Sequence, residues 1–210
     1  MKSLILTIIL SVLYIFIKAQ SFEGIIYFEK LTAQDTINYA YLIKDNMMRV
    51  DEMDKSLNIL QSLLINLNDK SMIAISPAHK MYMPFPVKPI PESKPNEFRI
   101  TKTNNSKVIN NYTCNKWEIR QITDSIIINY WVVNDNFDFF LPFLNISNTS
   151  DKSAFYYLQF NESEGFFPML SVETDFNEKL ILKLKVTKVE KKGLLPELFK
   201  IPPDYISFQR

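Results

Sequence analysis

Glycine, cysteine and histidine are almost missing from this sequence: three, one and one in 210 residues. Gly24, Gly165 and Gly193 stand singly, so no glycine-rich loop can turn its backbone N–H groups toward a phosphate. A lone Cys114 excludes an intramolecular disulfide and any zinc site built from several cysteines. His79, in the turn-like stretch Ser76-Pro77-Ala78-His79-Lys80, cannot form a histidine-rich metal site, and no G-x-S-x-G elbow offers it a nucleophile. Asn134, Asn136 and Asp138 imitate the start of a calcium loop, but Phe139 stands where that loop needs glycine. Charge of one sign is lacking too, with 24 basic against 23 acidic side chains, so no field draws the chain to nucleic acid. These absences leave no catalytic residue, no metal and no cofactor to expect, and the chain reads as a non-enzyme.

What is present begins with a targeting segment. Lys2 is followed by an apolar run from Leu4 to Ile17, broken only by Thr7 and Ser11, and then by Lys18-Ala19-Gln20-Ser21. That layout predicts a signal peptide over residues 1–19. Fourteen residues at 1.5 Å each span about 21 Å, short of the roughly 30 Å hydrocarbon core of a bilayer. The expected product is one β-rich domain over residues 20–210, exported to the periplasm or the exterior of a bacterial envelope and soluble after cleavage. Cys114 is expected to be buried as a small hydrophobe.

Period-two alternation dominates the rest. Leu180, Leu182, Leu184 and Val186 are separated by Lys183 and Lys185, and the same pattern holds at Ile26 and Phe28, at Tyr39, Tyr41 and Ile43, and at Trp117 and Ile119. Half-buried strands follow. Asn- and Asp-bearing turns are predicted at residues 44–46, 66–70, 104–106, 110–111, 123–125 and 176–178, giving successive antiparallel hairpins. Five of the 11 prolines fall at 84, 86, 89, 91 and 95, which predicts an extended connector over residues 84–97 within one continuous sheet. Six of the eight methionines lie between Met47 and Met83 and read as core gap-fillers rather than copper ligands. Asp51, Glu52 and Asp54 read as solvated surface. The predicted fold is mainly β with some α: one strongly curved antiparallel sheet, or open half-barrel, with one or two short helices across its concave side.

Alternation fails between residues 137 and 167, where ten aromatic side chains crowd together. Asp151 could N-cap a short helix containing Phe155. The rings either fill the core between helix and sheet or line an apolar cavity. On the second reading the candidate ligand-binding residues are Phe139, Phe140, Phe143, Tyr156, Phe160 and Phe167.

Several motifs follow one another in a recognisable order. They are Phe22-Glu23-Gly24-Ile25-Ile26-Tyr27, Met48-Arg49-Val50-Asp51, Lys80-Met81-Tyr82, Asn111-Tyr112-Thr113-Cys114-Asn115-Lys116-Trp117, Trp131-Val132-Val133, and Glu197 through Tyr205 with its Ile201-Pro202-Pro203 centre. The chain resembles the bacterial secreted-protein family called domain of unknown function 4412, which implies no catalytic residues. More distantly it is similar to the lipoprotein-carrier half-barrels of the bacterial envelope, which implies a curved sheet closed by helices over an apolar cavity. The expected function is therefore an envelope protein that binds a lipid, an acyl chain or another apolar ligand. The alternative is a structural or interaction protein with a self-filled core and another envelope protein as partner.

Overall fold

The computed structural model describes residues 21–87, 97–147 and 152–208. The expected signal peptide, residues 88–96 of the connector and the Asp151 cap lie outside the described residues. Twelve strands form one open sheet. In chain order they are β1 (Gly24–Thr32), β2 (Thr36–Lys44), β3 (Met47–Met53), β4 (Ile59–Asn66), β5 (Ser71–Ser76), β6 (Met81–Phe85), β7 (Phe98–Ile109), β8 (Tyr112–Gln121), β9 (Ile126–Asn134), β10 (Phe166–Asp175), β11 (Leu180–Lys191) and β12 (Ile206–Ser207). Two short helices, α1 (Phe140–Ser147) and α2 (Lys152–Tyr157), stand between β9 and β10. Among the described residues no helix is long and apolar enough to cross a membrane.

Hairpins build each half of the sheet. Asp45, Asn110, Asn111, Ser125 and Glu178 all take positive φ in the tight connections, a conformation that short polar side chains tolerate best. The spatial order is β12-β6-β5-β4-β3-β2-β1-β11-β10-β9-β8-β7, so two meanders meet where β11 inserts between β1 and β10. At that seam Gly24 takes φ +149°, and a Cβ there would lie 2.0 Å from the Glu190 carbonyl oxygen, so only glycine lets the strands close.

Residues 104–106 do not turn. β7 runs through them with a bulge between Lys102 and Ser106. Thr103 explains the difference: its Oγ1 donates to the Lys116 carbonyl at 2.9 Å and accepts from the Asn105 N–H, so a side chain covers the interrupted ladder. β6 also continues through Pro84 to Phe85, two residues into the predicted connector. There proline is tolerated because β12 pairs with Met81 and Tyr82 and, among the described residues, leaves the rest of that edge open. Pro168 sits inside β10 beside a second bulge.

The two faces of the sheet carry separate apolar clusters. The larger one packs Ile26, Ile43, Met48, Ile65, Ile119 and Val132 against the helices and the aromatic segment. Met48, Met53 and Met72 are buried, in keeping with gap-filling. The smaller cluster, on the other face, joins Ile25, Ala40, Leu42 and Met53 to Leu194 and Phe199 of a tail that crosses the sheet. That tail ends as β12, parallel to β6 and tied to it by Lys80–Asp204 at 2.8 Å. Beneath it Asp51 is buried rather than solvated. It accepts from Arg49 at 2.7 Å and from the Ser62 hydroxyl, and Arg49 also donates to the Leu198 carbonyl at 3.2 Å.

Candidate functional site

The helix that covers the inner face follows from its sequence. Pro142 lies in the first turn of α1, where its absent N–H costs nothing, and Phe140, Phe143, Leu144 and Ile146 are its buried residues. Phe140 packs edge-on to Phe167 at 4.7 Å and to Tyr157 at 5.1 Å. On the opposite wall, Phe28 meets Tyr41 at 4.6 Å and stacks on Tyr39 at 5.1 Å. The two walls touch where Tyr41 meets Phe143, with ring centroids 5.2 Å apart. Between them lies a cavity of about 370 Å³. That volume falls in the range of small-molecule sites, roughly 300–1,000 Å³.

Its lining is mostly apolar, with Leu63 and Met72 continuing the sheet wall. Polar groups gather at one margin: Lys30, Glu52 and Gln61 lie near the ends of β1, β3 and β4 that carry the β1–β2 and β3–β4 turns. Glu52 is held there as an acceptor, taking the Tyr39 O–H at 3.0 Å and a Gln61 N–H at 2.8 Å. Ser147, at the end of α1, Ser171 and Lys185 add further polar residues to the lining. Among the described residues no group of three or more His, Cys, Asp and Glu side chains is arranged to hold a metal ion.

Of the six aromatic residues singled out by sequence, Phe140, Phe143 and Phe167 line the cavity. The other three are packed beside it. Phe139 lies against Phe22 and Phe167, both at 5.9 Å, Tyr156 against Phe98 at 5.7 Å, and Phe160 against Trp117 at 5.1 Å. Burial, with help from the carboxylates of Asp124, Glu173 and Glu97, pushes the Tyr156 phenol up to about 12. The sheet wall was missed: Phe28, Tyr39, Tyr41, Leu63 and Met72. The signal lay in the alternation Tyr39-Tyr41-Ile43, which sets two tyrosines on a buried face where aliphatic residues are the commoner choice.

Similar architectures exist among solved structures. An uncharacterized conserved protein from Thermus thermophilus superposes with a TM-score of 0.56 at 13% identity, covering 95% of this chain and 98% of that one. A chain of the Pseudomonas aeruginosa MucA/MucB complex superposes at 0.53 with 8% identity, over 88% of this chain and 56% of that one. A putative outer membrane lipoprotein-sorting protein domain from Vibrio parahaemolyticus aligns at 0.34 with 9% identity, over 84% and 88%. At such identities the first two likenesses are of fold. No curated protein matches the sequence. The family model described as a domain of unknown function, DUF4412, matches residues 22–205, which span every strand from β1 to β11 and the crossing tail, and the chain belongs to that family.

Proposed function

We propose that this is an exported, non-enzymatic protein of the bacterial envelope that holds an apolar chain, a lipid or an acyl group, between the curved sheet and α1. The observation that carries this reading is the cavity between the Phe28–Tyr39–Tyr41 wall and the Phe140–Phe143–Phe167 wall. A close-packed core leaves few voids larger than a water molecule, so about 370 Å³ lined by rings is space for a guest. Burying on the order of 300 Å² of ligand surface would contribute about 7 kcal/mol before ordering costs. The apolar run at residues 4–17 supports export, and the mature chain is expected to begin at Gln20 or Ser21.

The test is saturable binding of an uncharged, environment-sensitive naphthylamine probe. Ala74 lines the cavity, so Ala74→Trp should fill it and abolish probe binding with little change in the urea midpoint. Phe143→Ala should weaken the probe about tenfold while losing less than the roughly 3–5 kcal/mol of stability that a closed core would lose. Absence of saturable binding, together with a core-sized loss in Phe143→Ala, would sink the ligand reading.

A second reading is a partner protein docking on the open edge of the sheet. Among the described residues β7 pairs only with β8, and it exposes Ile100 at 43% and Val108 at 69%. One of the similar folds is seen in a MucA/MucB complex.

A further inference from the structure

The turn between β3 and β4 presents apolar side chains to solvent. Leu57 is 64% exposed, Leu60 50% and Ile59 39%, and nowhere else among the described residues do three large exposed hydrophobic side chains fall within four positions. Exposed leucines scattered singly are ordinary, but a cluster marks a surface that meets something apolar. Leu57 also holds a positive φ of 64°, a conformation that strains a bulky side chain and that Asn or Gly adopts more readily. Every other non-glycine residue with positive φ among the described residues is polar or charged. A leucine is thus kept at this position against its backbone preference, with most of its surface in water.

The backbone beneath it is closed on itself. Asp54 N–H donates to the Asn58 carbonyl at 3.0 Å, and Leu57 N–H donates to the Asp54 carbonyl at 3.0 Å. The N–H groups of Ser56 and Asn58 donate to Asp54 Oδ1 at 2.8 and 2.9 Å, and the Asn58 side-chain amide donates to Oδ2 at 3.0 Å. A partner strand would find these donors already used. Lipid, which supplies few hydrogen-bond partners at its acyl boundary, demands that they be used. Charge narrows the occupant further. The turn carries one carboxylate, Asp54, and one ammonium, Lys55, which lies 3.5 Å from Asp35 in the β1–β2 turn, so no excess of positive charge selects anionic headgroups. The place is also apt: Glu52 and Gln61, at the polar margin of the cavity, lie on the two strands that this turn joins.

We propose that the β3–β4 turn is a membrane-contact element, whose Leu57, Ile59 and Leu60 side chains enter the interface of an uncharged phospholipid bilayer beside the cavity margin. This goes beyond the ligand-binding reading and stands without it.

The experiment is flotation with dioleoylphosphatidylcholine vesicles. The wild-type chain should float with them, equally at low salt and in 0.5 M NaCl, because apolar burial rather than charge holds it. Leu57→Asn should weaken binding about tenfold, since burial of one large aliphatic side chain is lost. Its urea midpoint should be unchanged or higher, because Asn tolerates the positive φ. In Leu57→Trp the fluorescence should gain a blue-shifted component on adding vesicles, and brominated phosphatidylcholine should quench it. Equal flotation of wild type and Leu57→Asn would overturn the inference, as would binding confined to anionic vesicles and lost at high salt. A lower urea midpoint in Leu57→Asn would also overturn it, because the leucine would then serve the fold. So would a wild-type dimer that Leu57→Asn dissolves, which would assign the patch to a second copy of the chain. The naphthylamine probe, titrated without vesicles, separates the two readings. Ala74→Trp should lose the probe and still float, whereas Leu57→Asn should keep the probe. A wild-type chain that binds the probe and does not float would overturn the membrane contact alone.

Discussion

Cys114 has no exposed surface, and its thiol lies 3.5 Å from the Tyr112 carbonyl. Burial pushes the group up to about 11 from its ordinary 9, although the cross-strand Lys107 works in the opposite direction. Lys107 is itself held 3.9 Å over the Trp131 ring, where desolvation lowers its own titration. A raised thiol gives the folded chain a sign that can be checked. Unfolded Cys114 releases its proton near pH 9 while the folded one keeps it until about 11, so the associated stability is complete below pH 9 and is lost as pH rises toward 11. Urea midpoints should therefore fall between pH 9 and 10, before the tyrosines contribute, and Cys114→Ala should flatten that part of the curve. Bulky thiol reagents should react with Cys114 only after denaturation.

At the scale of elements, the hairpins were the legible part. Asn and Asp sit where the backbone turns left-handed, as at Asp45 and Asn110-Asn111, so the turn chemistry could be read without knowing any partner strand. β7 was harder, because an edge strand with mostly exposed residues shows little alternation and its Asn104-Asn105 bulge has the composition of a turn. The burial of Asp51 could not be read from three neighbouring carboxylates, since what covers it arrives from Leu198, almost 150 residues later. Arg49 is the link in that arrangement, bonding Asp51, Ser62 and the Leu198 carbonyl. Arg49→Ala would leave a carboxylate buried without its counter-charge. It should cost about 3 kcal/mol in a urea titration. Arg49→Lys should recover part of that loss, because the charge returns without the forked geometry.

Across the whole molecule, the sequence located one wall of the cavity and not the other. The aromatic segment is continuous in sequence, so Phe140, Phe143 and Phe167 stood out together. The opposite wall draws two residues from each of β1 to β5 and becomes a surface only after five strands are paired in register. No local pattern encodes that convergence. The three aromatic candidates away from the cavity, Phe139, Tyr156 and Phe160, share the composition of the lining and differ from it only in which ring each meets.

β11 pairs with β1 on one side and β10 on the other, so the last long strand of the sheet is the one that joins the two meanders. Until residues 180–191 arrive, β1 and β10 both present an open ladder to solvent, and among the described residues the two halves have no other strand pairing between them. During vectorial emergence of the chain, the amino-terminal meander must therefore wait for a segment more than 150 residues downstream. High separation between partners also makes the closing step slow. The same vacancy is a slot of defined sequence. A chain ending at Phe176 should be incompletely folded and should capture a synthetic peptide covering residues 177–208, with recovery of Trp117 and Trp131 fluorescence as the readout. A peptide with Gly193 onward alone, lacking β11, should leave the spectrum unchanged.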